Sequence, residues 1–152
     1  MHELTILVAK YFVVIPVAVI AAVFFTLQKK QRLDFVLFAV LSAVVTALLV
    51  KLATTLHQDP RPFVRDGVHP YFASSTDNGF PSDHTAFSSL IAFVVMAYRR
   101  KTGIALLVLA LLIGMARVVS GVHHGQDVIG GVVIAGVAAG VSYLALQRMK
   151  RR

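Results

Sequence analysis

The sequence contains no cysteine, and only 14% of its residues are charged. The missing cysteine excludes a disulfide framework and a thiolate metal site. Soluble domains carry about 25% charged residues, so this chain has too few to cover a surface exposed to water. Because 57% of its residues are hydrophobic, the composition predicts that the lipid bilayer is its solvent.

Acidic residues are also few, 7 against 15 lysines and arginines, which gives a net charge of +8. Nucleic-acid binding would need the basic residues on one water-exposed face. Most of them instead cluster at the ends of apolar runs, as in proteins anchored to anionic lipid head groups. The sequence therefore predicts contacts with membrane lipids and no nucleic-acid partner. The clusters are Lys29, Lys30 and Arg32; Arg99, Arg100 and Lys101; and Arg148, Lys150, Arg151 and Arg152.

Apolar segments alternate with these clusters along the whole chain. A membrane-spanning helix needs about 20 residues, so the third and fourth segments are short unless their polar ends are included. We expect the third helix to start near Ser82. The prediction is an all-α, polytopic membrane helix bundle of about five transmembrane helices, forming one domain over residues 1–152. The segments are 4–27, 35–56, 85–98, 104–119 and 128–146.

The basic clusters also predict an orientation. With five spans all three clusters fall on one side, which the positive-inside rule makes cytoplasmic, with the N-terminus outside and the C-terminus cytoplasmic. A signal peptide is the alternative for the first segment, but that run is long and lacks a convincing cleavage site. All histidines and every acidic residue except Asp34 fall on the outer side, which indicates a site there. The histidines are His2, His57, His69, His84, His123 and His124.

Three groups of residues on this outer side carry possible chemistry. In the first, Pro60 and Pro62 hold Arg61 on a stiff, extended piece of backbone. Its planar guanidinium suits phosphate oxygens. The alternative is an interfacial arginine that reaches lipid head groups.

The second group is Phe80-Pro81-Ser82-Asp83-His84-Thr85, before the third segment. Ser82 is a plausible N-cap, and the free amides of a helix N-terminus bind anions. His84 in the first turn could donate a proton to a leaving oxygen. Simple capping beside an interfacial histidine is the alternative.

The third group is Arg117, followed by His123 and by Asp127 four residues later. At that spacing the carboxylate can hold one imidazole nitrogen and leave the other free to attack. An ion pair between Arg117 and Asp127 is the alternative. We interpret His124 as a residue at the rim of the site, and His57 and His69 as solvated.

These groups resemble the signature of the type 2 phosphatidic acid phosphatase superfamily, in which a lysine precedes Arg-Pro, then Pro-Ser-x-His, then Ser-Arg-x5-His-x3-Asp. The wording here is most similar to the bacitracin-resistance type of undecaprenyl-diphosphatase. Two positions depart from the pattern: Thr54 stands where the family has its lysine, with Lys51 as the nearest substitute, and Ala116 replaces the serine.

The resemblance implies a metal-independent hydrolase of the bacterial inner membrane with no cofactor. Its substrate would be a lipid phosphate or diphosphate, bound by Arg61, Arg117, Ser82 and, more tentatively, Lys51. His123 would attack phosphorus, oriented by Asp127, and His84 would protonate the leaving oxygen. Undecaprenyl diphosphate is the expected substrate, with phosphatidylglycerol phosphate or phosphatidic acid as alternatives.

Three further hypotheses remain open at this stage. A metal-dependent hydrolase could use His84, His123, His124 and Asp127 as ligands. An anion transporter could use the same arginines, although no polar path crosses the apolar segments. Gly136 and Gly140, four residues apart, allow close helix packing, either within one chain or in a homodimer.

The long connection 57–84, with Tyr71, Phe72 and Phe80, is predicted to cover the site.

Overall fold

The computed structural model describes residues 2–151. Within that range the chain is helical, with one isolated antiparallel bridge between Pro60 and Asn78 in place of any strand. The predicted all-α bundle is confirmed. The helices are α1 (His2–Tyr11), α2 (Val14–Thr26), α3 (Lys29–Leu56), α4 (Pro62–Arg65), α5 (Asp83–Met96), α6 (Arg100–Val119) and α7 (Gly125–Lys150).

The first apolar segment forms two helices instead of one. α1 and α2 meet at an angle of 44°. Pro16, in the first turn of α2, has no N–H to donate to Phe12 and its ring crowds that carbonyl. The amide of Ile15 bonds the Phe12 carbonyl instead, at 3.0 Å. A straight span through Pro16 was therefore the wrong expectation.

The remaining four apolar segments each form one helix. α3, α6 and α7 are long and apolar enough to cross a membrane, and the bent α1–α2 pair together meets the same test. α5 has 14 residues, which gives a length of about 21 Å, less than the thickness of the hydrocarbon core. Its start directly after Ser82 confirms the predicted boundary.

α5 is the central helix of the bundle. Most of its residues are buried, and it packs against α2, α3, α6 and α7. The close approach of α7 requires glycine at Gly131, where a Cβ atom would lie 2.9 Å from the amide nitrogen of Ala86 and 3.0 Å from the carbonyl of Ser82. Because neighbouring helices cover most of its surface, α5 does not need the length of a lipid-exposed span.

The two ends of the bundle differ in chemistry. At one end, Lys150 of α7 forms an ion pair of 2.6 Å with Asp34 of α3. At the other, the connections 57–82 and 120–124 meet: the amide of Tyr71 bonds the carbonyl of Ser120 at 3.0 Å, and the amide of Ser82 bonds that of Asp127 at 3.0 Å. These contacts bring together the three groups of residues singled out in the sequence.

Gly136 and Gly140 of α7 have different surroundings. A Cβ at Gly136 would lie 3.4 Å from the ring of Phe93, so this glycine packs within the chain, whereas a Cβ at Gly140 would meet nothing within 4 Å. The homodimer remains a prediction.

Candidate active site

Arg61 extends from the connection between α3 and α5. It is the N-cap residue of α4, with extended backbone (φ −60°, ψ 154°), and Pro62 begins the helix. The stiff presentation expected from the two prolines is therefore observed. The residue is 6% exposed, which excludes an arginine that merely reaches outward to lipid head groups.

The guanidinium of Arg61 is fully engaged. NH1 donates to the carbonyl of Val122 at 3.1 Å and lies 3.2 Å from Nε2 of His123. Nε and NH2 both donate to Oδ1 of Asp77, at 3.1 and 2.9 Å, and NH2 also lies 3.4 Å from the hydroxyl of Ser75. One edge of the guanidinium thus faces a histidine and the other faces a carboxylate.

His123 and Asp127 form the predicted pair. Nδ1 of His123 lies 3.2 Å from Oδ2 of Asp127, and both residues are buried. The same oxygen accepts the amide of His124 at 2.8 Å, which fixes the carboxylate at the start of α7. A carboxylate against Nδ1 leaves Nε2 with its lone pair, the form that a nucleophile needs.

The environment of His123 disfavours its protonated form. Burial lowers the pKa of His123 below its ordinary value, and the positive charges of Arg117 and Arg61 act in the same direction, while the hydrogen bond to Asp127 opposes them. The direction follows because a buried imidazole next to cations disfavours a second proton.

Arg117 occupies the last turn of α6 and is 6% exposed. Its NH1 donates to the carbonyl of Ala9 at 3.2 Å, and its guanidinium lies 6.0 Å from the ring centre of Phe72. The alternative of an Arg117–Asp127 ion pair is not what the structure forms. Nε of Arg117 is buried and has no partner among residues 2–151, so a donor is left for a ligand in a place where an unpaired donor is costly.

The N-terminus of α5 supplies the third part of the site. Ser82 is the N-cap residue, yet its hydroxyl makes no hydrogen bond with a backbone amide. It instead accepts a hydrogen bond from the hydroxyl of Thr85, at 3.1 Å. The first amides of α5 therefore keep their anion-binding capacity. His84 is half-buried in that first turn, within electrostatic reach of Arg61, Arg117 and His123.

The departure from the family pattern at the lysine position has a structural counterpart. The hydroxyl of Thr54, which occupies the lysine position, donates to the carbonyl of Phe80 at 3.2 Å and ties α3 to the second motif. Lys51 is exposed and lines a groove between α3 and α5 together with Asp83. Lys51 makes no hydrogen bond or ion pair with the described residues of the three motifs, and its part in the site stays a prediction.

A second polar cluster borders the site. Asp59 is 2% exposed. Its carboxylate accepts hydrogen bonds from NH1 of Arg65 and from Nε2 of Gln126, each at 2.7 Å, and its Oδ2 lies 2.9 Å from Nδ1 of His124. Asp59, His124 and Asp127 offer ligand atoms within 4.8 Å of one another. Both oxygens of Asp59 already accept these donors, so the cluster is a hydrogen-bond network that a metal ion would have to disrupt.

Sequence reasoning missed the acidic partners in the connection. Asp59 joins the Arg61 segment to α7, and Asp77 holds Arg61, yet both lie in loop sequence without helical periodicity. The position of Asp59, two residues before Arg61, was the one available signal. The exposed positions of His57 and His69 agree with the solvated reading, and His124 lies at the edge of the site as predicted. Of the aromatic residues of the connection, Phe72 lies near Arg117, with its ring centre 6.0 Å from the guanidinium; the cover over the site stays a prediction.

The order and spacing of these residues match a known family. Residues 35–151 match the model of the PAP2 superfamily, and this range includes every residue of the three motifs. The chain belongs to the PAP2 superfamily.

Curated PAP2-type relatives share much of this sequence. The bacitracin transport permease protein BcrC of Bacillus licheniformis is 37% identical over 115 residues, which cover 75% of this chain and 56% of that protein. The undecaprenyl-diphosphatase BcrC of Bacillus subtilis strain 168 is 29% identical over 135 residues, covering 89% of this chain and 69% of that protein. The chain thus spans a little over half the length of the first relative.

Solved structures share the fold. The crystal structure of Aquifex aeolicus LpxE superposes with a TM-score of 0.69 at 25% identity and covers 93% of this chain and 81% of its own. A PAP2-type phosphatidylglycerolphosphate phosphatase from Bacillus subtilis superposes with a TM-score of 0.62 at 23% identity, covering 98% of this chain and 76% of its own. The helical membrane architecture is therefore that of PAP2 membrane proteins.

Proposed function

We propose that this protein hydrolyses a lipid phosphate or diphosphate through a phosphohistidine at His123. The observation that carries the proposal is the arrangement around that ring: Asp127 at 3.2 Å from Nδ1 and the guanidinium of Arg61 at 3.2 Å from Nε2. A buried, neutral imidazole held by a carboxylate is a nucleophile, and an arginine beside its free nitrogen marks where a phosphate oxygen binds.

The phosphoryl group would be bound by cations and amides. Arg61 presents NH1 next to the attacking nitrogen, Arg117 presents its unpartnered Nε, and the first amides of α5 after Ser82 supply further donors. The transition state of phosphoryl transfer spreads its charge over the three equatorial oxygens and leaves little covalent chemistry to the protein. Positioning and fixed positive charge are therefore the main contributions that a protein can make. Lys51, which lines the groove between α3 and α5, is given only a secondary part in binding the phosphate.

The reaction has two displacements at phosphorus. The lone pair of Nε2 of His123 forms the P–N bond while the bond to the leaving oxygen breaks, and His84 supplies a proton to that oxygen. Water then attacks phosphorus, His84 accepts the water proton, and the P–N bond breaks to release phosphate and His123. When the substrate is a lipid diphosphate, the leaving group is the lipid monophosphate, a phosphate monoester. Because this is already a fair leaving group, the first step depends less on His84.

We assign no metal to this chemistry. Two buried arginines supply positive charge of the kind that a divalent cation supplies in other phosphoryl-transfer sites. In the neighbouring cluster, the carboxylate of Asp59 is already paired with Arg65, Gln126 and His124.

The preferred substrate is undecaprenyl diphosphate, converted to undecaprenyl phosphate and phosphate at the outer face of a bacterial inner membrane. The curated relative named undecaprenyl-diphosphatase and the positive-inside distribution of lysine and arginine support this choice. Phosphatidylglycerol phosphate and phosphatidic acid carry the same terminal phosphate, so the site itself accommodates all three.

Phosphate release from a panel of these three lipids tests the proposal. Wild-type protein is expected to act fastest on undecaprenyl diphosphate, to resist chelator and to be inhibited by vanadate. His123→Ala should abolish turnover, whereas His69→Ala, in the exposed part of the connection, should retain it. Near wild-type turnover by His123→Ala would contradict the nucleophile, and faster release from a glycerophospholipid would change the substrate. Loss of wild-type activity on chelation would contradict the metal-free mechanism.

A further inference from the structure

Asp77 is an exposed carboxylate with an exceptional set of contacts. Its side chain is 67% exposed, while that of Arg61, its partner in an ion pair of 2.9 Å, is 8% exposed. The hydroxyl of Ser75 also donates to Oδ1 of Asp77, at 2.6 Å. This hydrogen bond and the contact with Arg61 lower the pKa of Asp77 and outweigh the opposing effect of its partial burial.

The contacts of Arg61 account for each of its five N–H bonds. Nε and NH2 are directed to Asp77 and Ser75. NH1 is directed to the carbonyl of Val122 and to Nε2 of His123. No N–H of Arg61 is therefore left for a phosphate oxygen unless one of these contacts is given up.

The contact with His123 is the one that has to break. With Asp127 against Nδ1, Nε2 receives the NH1 hydrogen bond on the lone pair that it uses to attack phosphorus. A phosphate beside Nε2 also lies beside NH1 and can take that hydrogen bond, which frees the lone pair. The edge held by Asp77 faces away from His123 and need not move.

We propose that Asp77 is a positioning residue for the PAP2 reaction in this chain. It holds the Nε–NH2 edge of Arg61, so that NH1 exchanges His123 for a substrate phosphate oxygen while the guanidinium stays in place. Ser75 orients the carboxylate of Asp77 for this purpose. The inference rests on the proposed function, because it assigns Asp77 a part in binding the phosphate that His123 attacks.

The expected effect comes from the freedom that Arg61 gains. Asp77→Ala removes the acceptor of two charge-assisted hydrogen bonds from Arg61 but leaves a solvent-exposed edge, so it is expected to lower kcat/KM roughly tenfold. The inhibition constant of inorganic phosphate should rise in parallel. Asp77→Asn keeps an oxygen that can accept from Arg61 and should lose less, and Ser75→Ala should lose least.

A double-mutant cycle separates positioning from a general loosening of the connection. If Asp77 acts through Arg61, then Asp77→Ala causes no further loss in an Arg61→Ala background, where residual turnover is followed in long incubations. The matched control is Asp34→Asn, which removes another exposed carboxylate from an ion pair, at the opposite end of α3. It should remain within twofold of wild type.

Three results would overturn the inference: turnover and phosphate inhibition of Asp77→Ala within twofold of wild type, losses that multiply with Arg61→Ala, or an equal loss in Asp34→Asn. Thermal unfolding of each variant in detergent shows whether it is folded, and Asp77→Asn replaces Asp77→Ala in the cycle if the latter is not. Failure of wild-type protein to release phosphate from any lipid would contradict the proposed function instead. Active wild type with an unaffected Asp77→Ala contradicts only the role of Asp77.

Discussion

Asp127 determines which nitrogen of His123 carries the proton. Its Oδ2 lies 3.2 Å from Nδ1 and accepts the amide of His124 at 2.8 Å, while its Oδ1 is buried without a partner in the part of the chain that the structure describes. The carboxylate therefore directs the imidazole proton to Nδ1 and leaves the lone pair on Nε2, next to Arg61.

Asp127→Ala is predicted to remove this control. No oxygen is then left to hold the proton on Nδ1, so the proton can move to Nε2 and the nucleophile loses its lone pair. By analogy with other carboxylate–histidine pairs, kcat should fall on the order of 10²–10⁴-fold. Steady-state phosphate release measures this, with Asp34→Asn as the control; a loss below tenfold would show that Asp127 does not select the tautomer.

The lowered pKa of His123 predicts the acid limit of activity. An unperturbed histidine gains its proton near pH 6.5, but burial delays this for His123 to lower pH. The neutral nucleophile therefore persists below pH 6.5, and the acid limb of kcat/KM, corrected for ionisation of the substrate, should lie below that value. Because the pKa of His123 is lower in the folded chain, the unfolded chain binds this proton more readily. The free energy of unfolding should therefore decrease as pH falls below 6.5. An acid limb above pH 6.5 would contradict a buried neutral His123.

At the scale of helices, the short α5 brings its N-terminus into the site. Its start depends on the bond from the amide of Ser82 to the carbonyl of Asp127 and on close packing at Gly131. α5 thus places His84 and the anion-binding amides relative to His123, so the packing of α5 against α7 is part of the functional geometry.

Gly131→Ala is predicted to disturb this packing. The added Cβ would lie 2.9–3.0 Å from backbone atoms of α5, which cannot give way without moving the start of that helix. Activity should fall at least about tenfold and the melting temperature should drop, as expected for overpacking of 1–3 kcal/mol.

Gly140→Ala is the matched control on the same helix, where a Cβ would meet nothing within 4 Å. It should keep activity and unfold at the same or a slightly higher temperature, because alanine favours helix over glycine. Equal effects of the two substitutions would contradict the packing argument. A loss confined to Gly140→Ala would favour a homodimer through that position.

Sequence patterns were sufficient for most helices and for the residues with motif spacing. His123 and Asp127 could be paired because a spacing of four residues is a local geometric fact, and Ser82 marked the start of α5. The break at Phe12–Val13 was not predicted, because the hydropathy of the segment 4–27 continues through Pro16 without interruption. Asp59 and Asp77 were missed because their partners are distant in sequence, and loop contacts follow no periodicity.

For the whole molecule, hydrolysis at the outer face requires the site and the basic clusters to lie on opposite sides of the membrane. The ion pair of Asp34 with Lys150 marks one end of the bundle, and the connection 57–82 marks the other. The positive-inside rule predicts that the first end is cytoplasmic.

Cysteine labelling tests this orientation directly, because the chain has no cysteine of its own. In intact cells, a membrane-impermeant maleimide should label His69→Cys, in the exposed connection, and should not label Lys30→Cys until the membrane is permeabilised. Both positions are exposed, so each should react in detergent, which serves as the control. The reverse pattern would place the active site in the cytoplasm.

Trapping the phosphorylated enzyme tests directly whether His123 is the nucleophile. In His84→Ala, a diphosphate substrate should still phosphorylate His123, because its leaving group needs little protonation, whereas hydrolysis should stall without a base for water. Mass spectrometry of the alkaline-quenched protein is predicted to find one phosphoryl group on His123, which is lost on acid treatment and absent from His84→Ala/His123→Ala. A phosphoryl group on another residue, or unchanged turnover by His84→Ala with no trapped intermediate, would contradict the account.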